Sequence, residues 1–448
     1  MRASIGLMMA TIACGGPTSD APTWHGDVGP IVEAHCATCH TDGGVAPFAL
    51  DDYDDVAAVA ALVKASVSSR SMPPWGATDA DIGLRFDISL SPEQIATIED
   101  WVDAGAPEGD PDAPGAPIEL DLGGLPAHDL EFTMPEPYAT LATPGQDEYR
   151  CFVFDWPEDE PTFITGVEVD PGNALVAHHA VTFMIPPRSA AKAEEFDSWD
   201  EGAGYSCFGT ASHDEFVQLD DGDFFDQRFV SGWAPGNPGL EYGDGAIGVE
   251  VQPGSKLVLQ MHYSNVDGSA QTDQTTVRFS TADTVERAGY YMPWMNFAWT
   301  LNPASMRIPA GAENVRHSYR AEATTSANAT LLGASTEVVK DGMLLYSVFA
   351  HTHKLGEQIT YTLHRTDGTS SVLLHVDRYD FDWQREYIFD TPVAVMPGDE
   401  LEVSCVFHNT AEWRAERGAY PTEPIDAGWG EGTHDEMCVA HSLMTSLE

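Results

Sequence analysis

The chain has 448 residues, 43% of them hydrophobic, a length that suits about three domains with proper cores. Its 71 acidic residues against 21 basic ones give a formal net charge of −50, spread along the whole chain, which argues against nucleic acid as a partner and for neutral or cationic ones. An acidic surface adapted to a salty or crowded extracellular setting accounts for the same charge without any charged partner.

The first segment, residues 1–23, opens "MRASIGLMMATIACGG". One basic residue, a short apolar run and Cys14 followed by glycines resemble a bacterial lipoprotein signal cleaved before a lipid-modified cysteine. Thr11 stands where leucine is usual, so a plain signal peptide or a misassigned start is the alternative. No later apolar stretch reaches the roughly 18 residues of a membrane span. The expectation is an exported protein of a bacterium, periplasmic or held at a membrane surface through Cys14.

Residues 24–108 form the second segment, which carries "VEAHCATCHTDGG". With 7 Cys and 16 His in the chain, chance would give Cys-x-x-Cys-His on the order of 0.004 times, so the pattern needs a chemical cause. A structural zinc site needs a second Cys or His pair at short spacing, and a thioredoxin-like dithiol belongs in a βαβ pattern; neither is present. Covalent c-type haem fits best: Cys36 and Cys39 form the thioethers and His40 the proximal ligand. Helices are expected in "DDVAAVAALVKASVSS" and in "SPEQIATIEDWVDAG", where Ser91 is the N-cap, Pro92 the first helical residue, and Ile95, Ile98, Trp101 and Val102 one apolar face. Between them lies "SRSMPPW". The segment resembles class I c-type cytochromes, which implies Met72 as the sixth haem ligand; a gap-filling methionine is the alternative.

Residues 109–128 are rich in Pro, Gly and acid and read as an extended linker. From Asp129 onward the texture changes to short alternating runs, "TFITGVEV", "SKLVLQMHYSN", "MLLYSVFAHTH", "QITYTLHRTDGTSSVLLHVDRYD" and "DELEVSCVFHNT", with a hairpin turn expected at Asp367-Gly368. These predict antiparallel β-sandwiches, and the length suits two, over 129–285 and 286–448. The fold class is thus a small all-α cytochrome c domain followed by two all-β sandwich domains.

Apart from Cys14, Cys36 and Cys39, four cysteines remain, Cys151, Cys207, Cys405 and Cys438, an even number that suits two disulfides in an exported protein. Three pairings are open; Cys151 with Cys207 and Cys405 with Cys438 are preferred because each pair lies within one expected domain. Three histidine clusters could hold metal: "VAHHAVTF" with His178 and His179, "LVLQMHYSN" with His262, and "VFAHTHKLG" with His351 and His353. In a strand His351 and His353 share a face, whereas His178 and His179 act together only if their strand ends or bulges there. Each cluster alone is equally well read as polar residues on solvated strands.

Taken together, "VAHHAVTF", "LQMHY", "HTHKLG" and "GTHDEMC" resemble the copper type II monooxygenases, the family of peptidylglycine and dopamine β-monooxygenases, across about residues 129–448. The resemblance implies two jelly-roll-like sandwiches with one copper each and a solvent-filled cleft between them. It implies His178, His179 and His262 as ligands of an electron-transfer copper. His351, His353 and Met437 would hold the copper that binds O2, with the Cys405–Cys438 pair tethering Met437. Soft thioether in place of one imidazole favours Cu(I), the state that meets O2. Gln260, two residues before His262, is either a cleft residue supporting that site or a packing residue. Peptidylglycine enzymes hold a substrate carboxylate with Arg, Asn and Tyr at positions that here are Phe349, Val439 and His441, so a small neutral, apolar or aromatic substrate is expected. The function this implies is hydroxylation of a C–H bond with O2, the electrons coming from ascorbate, a redox partner protein or the fused haem. A non-catalytic exported copper or electron carrier is the rival reading.

Overall fold

The computed structural model describes residues 21–447 apart from 43, 45, 79, 142–146, 208, 215–224, 265–267, 270, 326–335, 420 and 431–434. The proposed lipidation site Cys14 and the rest of the signal-like run lie outside the described residues. Two compact units emerge: Met1–Pro73 with Ser89–Leu120, and Pro74–Ile88 with Asp121–Glu448.

In the first unit a wide turn over Trp24–Val28 leads into the helix Gly29–His35, followed by helices Tyr53–Ala58, Ala60–Ser68 and Pro92–Asp103. The last begins as its sequence requires: Ser91 accepts from the Gln94 backbone while the Gln94 side chain accepts from the Ser91 N–H, with Pro92 at the first turn. Ile98 and Trp101 of this helix are fully buried against Trp24, Val28, Ile31 and Val56. The single helix expected over 54–69 is two, because Val59 leaves helical geometry (φ −118°, ψ 17°). The Pro-rich run begins as part of this unit: Trp24 and His25 donate to the carbonyls of Pro107 and Glu108, and Gly115 donates back to His25.

The second unit is almost entirely β. A five-stranded sheet runs in the order 205–206, 147–155, 256–264, 177–185, 228–233, and a four-stranded sheet in the order 315–322, 400–407, 356–364, 370–376. Opposite both lies one nine-stranded sheet, whose order is 130–133, 276–282, 162–170, 247–251, 287–294, 439–446, 343–351, 386–395, with 240–241 paired on 162–170. Alternating residues of facing sheets close two cores. Phe152, Leu257 and Leu259 meet Ile164, Val277 and Phe279 in one; Tyr361, Leu401 and Val403 meet Leu345, Val348 and Met444 in the other. The two sandwiches are continuous, because Arg287–Ala288 pair in parallel with Ile247–Gly248 across the join. The hairpin at Asp367-Gly368 is present: Gly368 takes φ +88°, where a side chain is disfavoured, and Asp367 accepts from the Thr369 N–H at 2.9 Å.

The division of the chain differs from the expected one at Pro74–Ile88, which belongs to the β unit. This strap lies along the strands 370–376 and 386–395, each at an open edge of its sheet. Thr78 donates to His375 O, Arg85 to Ile388 O, and Asp390 to Gly83 O. Trp75, 6% exposed, packs edge-on against Tyr387 at 5.2 Å beneath the Arg385 guanidinium. Unpaired edge strands invite foreign pairing, and the strap covers two of them. The Pro- and Gly-rich run also divides, with 109–120 in the helical unit and 121–128 in the β unit, so the chain passes between the units after Pro73, Ile88 and Leu120.

Candidate metal centre and adjoining cavity

His262 sits in the middle of the strand Lys256–Ser264, directly opposite His179 of the strand Ala177–Ile185. One residue later the register slips, so that Tyr263 faces Ala177 and His178 becomes the extra residue of a bulge. The bulge turns two adjacent imidazoles toward one point. His178 Nδ1 and His179 Nδ1 each lie 3.3 Å from His262 Nδ1, and one ligand atom from each of the three lies within 4.8 Å of the others. Nitrogens bound about 2 Å from a single ion stand roughly 3.3–3.5 Å apart, so the trio has the spacing of a closed ligand set.

The opposite ring nitrogens face other partners, which fixes which nitrogen points inward. His178 Nε2 meets Asp382 Oδ1 at 3.0 Å and His262 Nε2 meets Asp147 Oδ1 at 3.2 Å. His179 Nε2 faces Gln384 Nε2 at 3.5 Å. Tyr149 stacks on His262 at 4.3 Å. Burial, joined by the neighbouring imidazoles, holds His179 well below the usual histidine range. His262 is pushed down to about 4 by burial against the opposing pull of Asp147. Neutral imidazoles are what metal ligation requires. Burial tends to raise Asp147, but its bond and charge interaction with His262 prevail and leave it at about 2.

His351 and His353 come together by a different route, and Met437 lines the same cavity. The strand Met343–His351 ends at His351, so the shared strand face expected of the pair does not exist. His353 instead lies in the following turn, with its ring 5.1 Å from that of His351. Glu436 shapes the turn, accepting from the backbone N–H groups of His353 at 2.9 Å and Leu355 at 2.6 Å. Each ring again has its outward nitrogen occupied: His351 Nδ1 by Gln384 Oε1 at 2.6 Å and His353 Nδ1 by the carbonyl of Asp435 at 3.0 Å. Met437 is flanked by Cys438, which is bonded to Cys405. The second disulfide joins Cys151 and Cys207. Gln260 donates to Thr210 O at 2.8 Å and lies against both of these sulfurs, so it holds the disulfide loop while lining the cavity.

Both histidine sets open on one cavity of about 530 Å³, lined among others by Phe229, Tyr291, Phe349, Met437, Val439 and His441. The sets are close neighbours. Phe381 stands between them, its ring 5.2 Å from His179 and 5.7 Å from His353, and Gln384 touches a histidine of each. A phenylalanine ring and an amide thus occupy ground where the resemblance implied solvent. Sequence reading missed Phe381, Asp382, Gln384 and Asp147. The turn 381–384 lies about two hundred positions from His178 and His179, and no spacing rule marks such a contact.

In the helical unit, Cys36 and Cys39 lie just beyond the helix Gly29–His35, outside both disulfides. Burial, then the neighbouring Cys39, pushes the Cys36 thiol up to about 12, the reverse of the lowered value that marks a reactive dithiol. His40 has Nδ1 3.0 Å from the carbonyl of Phe48, which leaves Nε2 for a ligand. Met72 is half-buried at the end of its turn, its N–H on Ser66 O at 3.3 Å.

Residues 317–444 match the sequence model of the copper type II ascorbate-dependent monooxygenase C-terminal domain. The chain is 22% identical over 310 residues to DBH-like monooxygenase protein 1 of Mus musculus, covering 66% of this chain and 44% of that protein. It is 23% identical over 319 residues to the Homo sapiens protein of the same name, covering 67% and 45%. With MOXD1 homolog 1 of Drosophila melanogaster it shares 23% identity over 279 residues, 59% of this chain and 34% of that protein. The chain therefore spans less than half the length of these relatives. The matches support the copper type II monooxygenase family and, with it, an oxidoreductase.

Proposed function

We propose that this chain is a copper-dependent monooxygenase that hydroxylates a C–H bond of a small organic molecule. The observation that carries the reading is the convergence of three imidazole Nδ1 atoms beside a second set of two imidazoles and a thioether, on one cavity. The donor sets fit copper: imidazole suits it in both oxidation states and thioether its reduced state. Bound there, copper supplies one-electron transfer and activation of O2 for hydrogen abstraction and hydroxyl delivery. The overall balance is substrate C–H plus O2 plus two electrons and two protons, giving C–OH and water, with ascorbate or a redox partner protein as the donor.

The protein's own part is positioning and exclusion. His178, His179 and His262 hold one ion and His351, His353 and Met437 the other. Asp382, Gln384 and the Asp435 carbonyl orient the rings from behind, while Phe381 keeps bulk water from between them. The cavity walls receive the substrate.

The helical unit fits a covalent c-type haem in Cys36 and Cys39, which take no part in the two disulfides, and in its oriented His40, with Met72 the candidate second axial ligand. We read it as an electron inlet feeding the three-histidine site. Two disulfides suit an oxidising compartment, in keeping with an exported, periplasmic or surface-held bacterial protein anchored through Cys14. The test is metal analysis, a pyridine haemochrome spectrum and O2 uptake on protein from an export-competent host. Two coppers, one covalent haem and uptake stimulated by an organic substrate are expected; uptake that no substrate stimulates would leave the carrier reading in its place.

A further inference from the structure

The strap Pro74–Ile88 lies along the strand 386–395, whose first residues follow the turn that ends in Gln384. Side chains alternate across a strand, and around this strand's start the two faces have different partners. Arg385 and Tyr387 meet the strap. The Arg385 guanidinium lies 5.0 Å over the Trp75 ring, Tyr387 packs edge-on against that ring, and the Tyr387 hydroxyl donates to the Trp75 carbonyl at 2.5 Å. Gln384 and Glu386 face the other way. Gln384 Oε1 accepts from His351 Nδ1 at 2.6 Å, and Glu386 accepts from Tyr291 and Ser347. The register agrees: Glu386 pairs with Phe349, which puts Gln384 level with His351. Farther along the same strand, Arg85 of the strap donates to Ile388 O at 2.8 Å and Asp390 donates to Gly83 O at 2.9 Å. The turn behind Gln384 gives it weaker anchors, its amide on the Phe381 carbonyl at 3.0 Å and the Asn237 amide on its own carbonyl at 3.5 Å.

We infer that Trp75 is a positioning residue of the second histidine set: by holding Arg385 and Tyr387 on one face of the strand it fixes Gln384 on the other, and Gln384 aims the His351 ring. The inference rests on the reading of His351, His353 and Met437 as copper ligands, and it adds to that site a residue from outside both sandwiches. Trp75 is 6% exposed, so its loss leaves Arg385 and Tyr387 a space into which the strand start can relax. Little movement is needed. A hydrogen bond of 2.6 Å is gone by about 3.6 Å, so a displacement of roughly 1 Å at Gln384 releases His351 Nδ1. The partner on the outward nitrogen of a ligating histidine sets its tautomer and ring direction, and losing such a partner typically costs about 10–100-fold in metal affinity.

The test uses the full chain carrying His262→Ala, so that the second set alone holds copper. Its readouts are Cu(I) affinity, by competition with a chromophoric chelator, and the infrared stretch of carbon monoxide bound to that Cu(I). Gln384→Leu should weaken Cu(I) binding about 10–100-fold and shift the carbon monoxide band. Trp75→Ala should weaken binding about tenfold and shift the band in the same direction, and Trp75→Phe, which keeps a ring against Tyr387, should recover most of both. Because Trp75 acts through Gln384, adding Trp75→Ala to Gln384→Leu should cost no further affinity. Tyr387→Phe removes only the hydroxyl on the Trp75 carbonyl and should give a smaller change of the same sign; it decides the matter if Trp75→Ala does not fold. A lowered unfolding temperature with affinity and band unchanged overturns the proposal, as does full additivity in the double variant. Wild-type O2 uptake that no substrate stimulates, with these shifts intact, would fail the monooxygenase reading and leave Trp75 in its role.

Discussion

The two histidine sets face one cavity but are held in unlike ways. The trio His178, His179 and His262 sits inside two paired strands, and a single register slip at His178 aims all three rings. His351, His353 and Met437 are assembled from a strand end, a turn tied by Glu436 and a residue next to a disulfide. Ladder hydrogen bonds on both sides of the first set make its geometry a property of the sheet. The second set depends on a few specific contacts, among them the Gln384 amide that also reaches His179. On the proposed assignment, the electron-transfer set lies within paired strands, and the set proposed to meet O2 and substrate is built from separable parts.

The sharpest way to separate the sets is Met437→Ala. It removes the soft ligand of one set and touches nothing in the other, so copper at the trio should persist while turnover falls to background. Normal hydroxylation by that variant, measured as product per copper, would break the assignment of roles.

Next in size is Trp75→Ala. Trp75 fills a buried site against Tyr387 and beneath Arg385, the residue directly after Gln384. Removing a buried tryptophan costs about 3–5 kcal/mol. The loss should appear in thermal unfolding of the second sandwich, with the trio's copper affinity nearly unchanged. For the same reason a chain truncated to begin at Asp129 loses the strap and uncovers two sheet edges, so it is a poor test of the haem unit.

A smaller effect concerns pH. Glu386 accepts hydrogen bonds from Tyr291 and Ser347, but burial outweighs them and raises its carboxyl from 4.5 to about 7. The folded state then holds a proton that the unfolded state has released, so stability should fall as pH rises from 4.5 toward 7 and level off above. Glu386→Gln should flatten that slope in denaturant titrations; an unchanged slope would show that other groups set it.

Much of this was legible in the sequence because it is local. The alternating runs around His262 and His351 became strands with nearly the expected bounds, Asp367-Gly368 made its hairpin, Ser91 and Gln94 made their cap, and both preferred cysteine pairings formed. The demand that His178 and His179 needed a bulge could be stated from the two-residue strand period alone. What was not legible is non-local. Nothing around Trp75 says that Pro74–Ile88 leaves the helical unit to cover strands three hundred residues away. Nothing in "FDWQ" places Phe381 and Gln384 between two histidine sets. The placement of His353 beyond the strand depends on Glu436, whose contact with that turn is made across more than eighty residues.

Counting copper in the copper-replete full chain and in His262→Ala and Met437→Ala decides whether two unlike donor sets hold two coppers. The wild type should hold two. His262→Ala should lose the trio's copper and keep the other, and Met437→Ala should keep the trio's copper with the spectroscopic signature of nitrogen ligands only. A wild type that holds a single copper, or a His262→Ala protein that holds as much as the wild type, would contradict it.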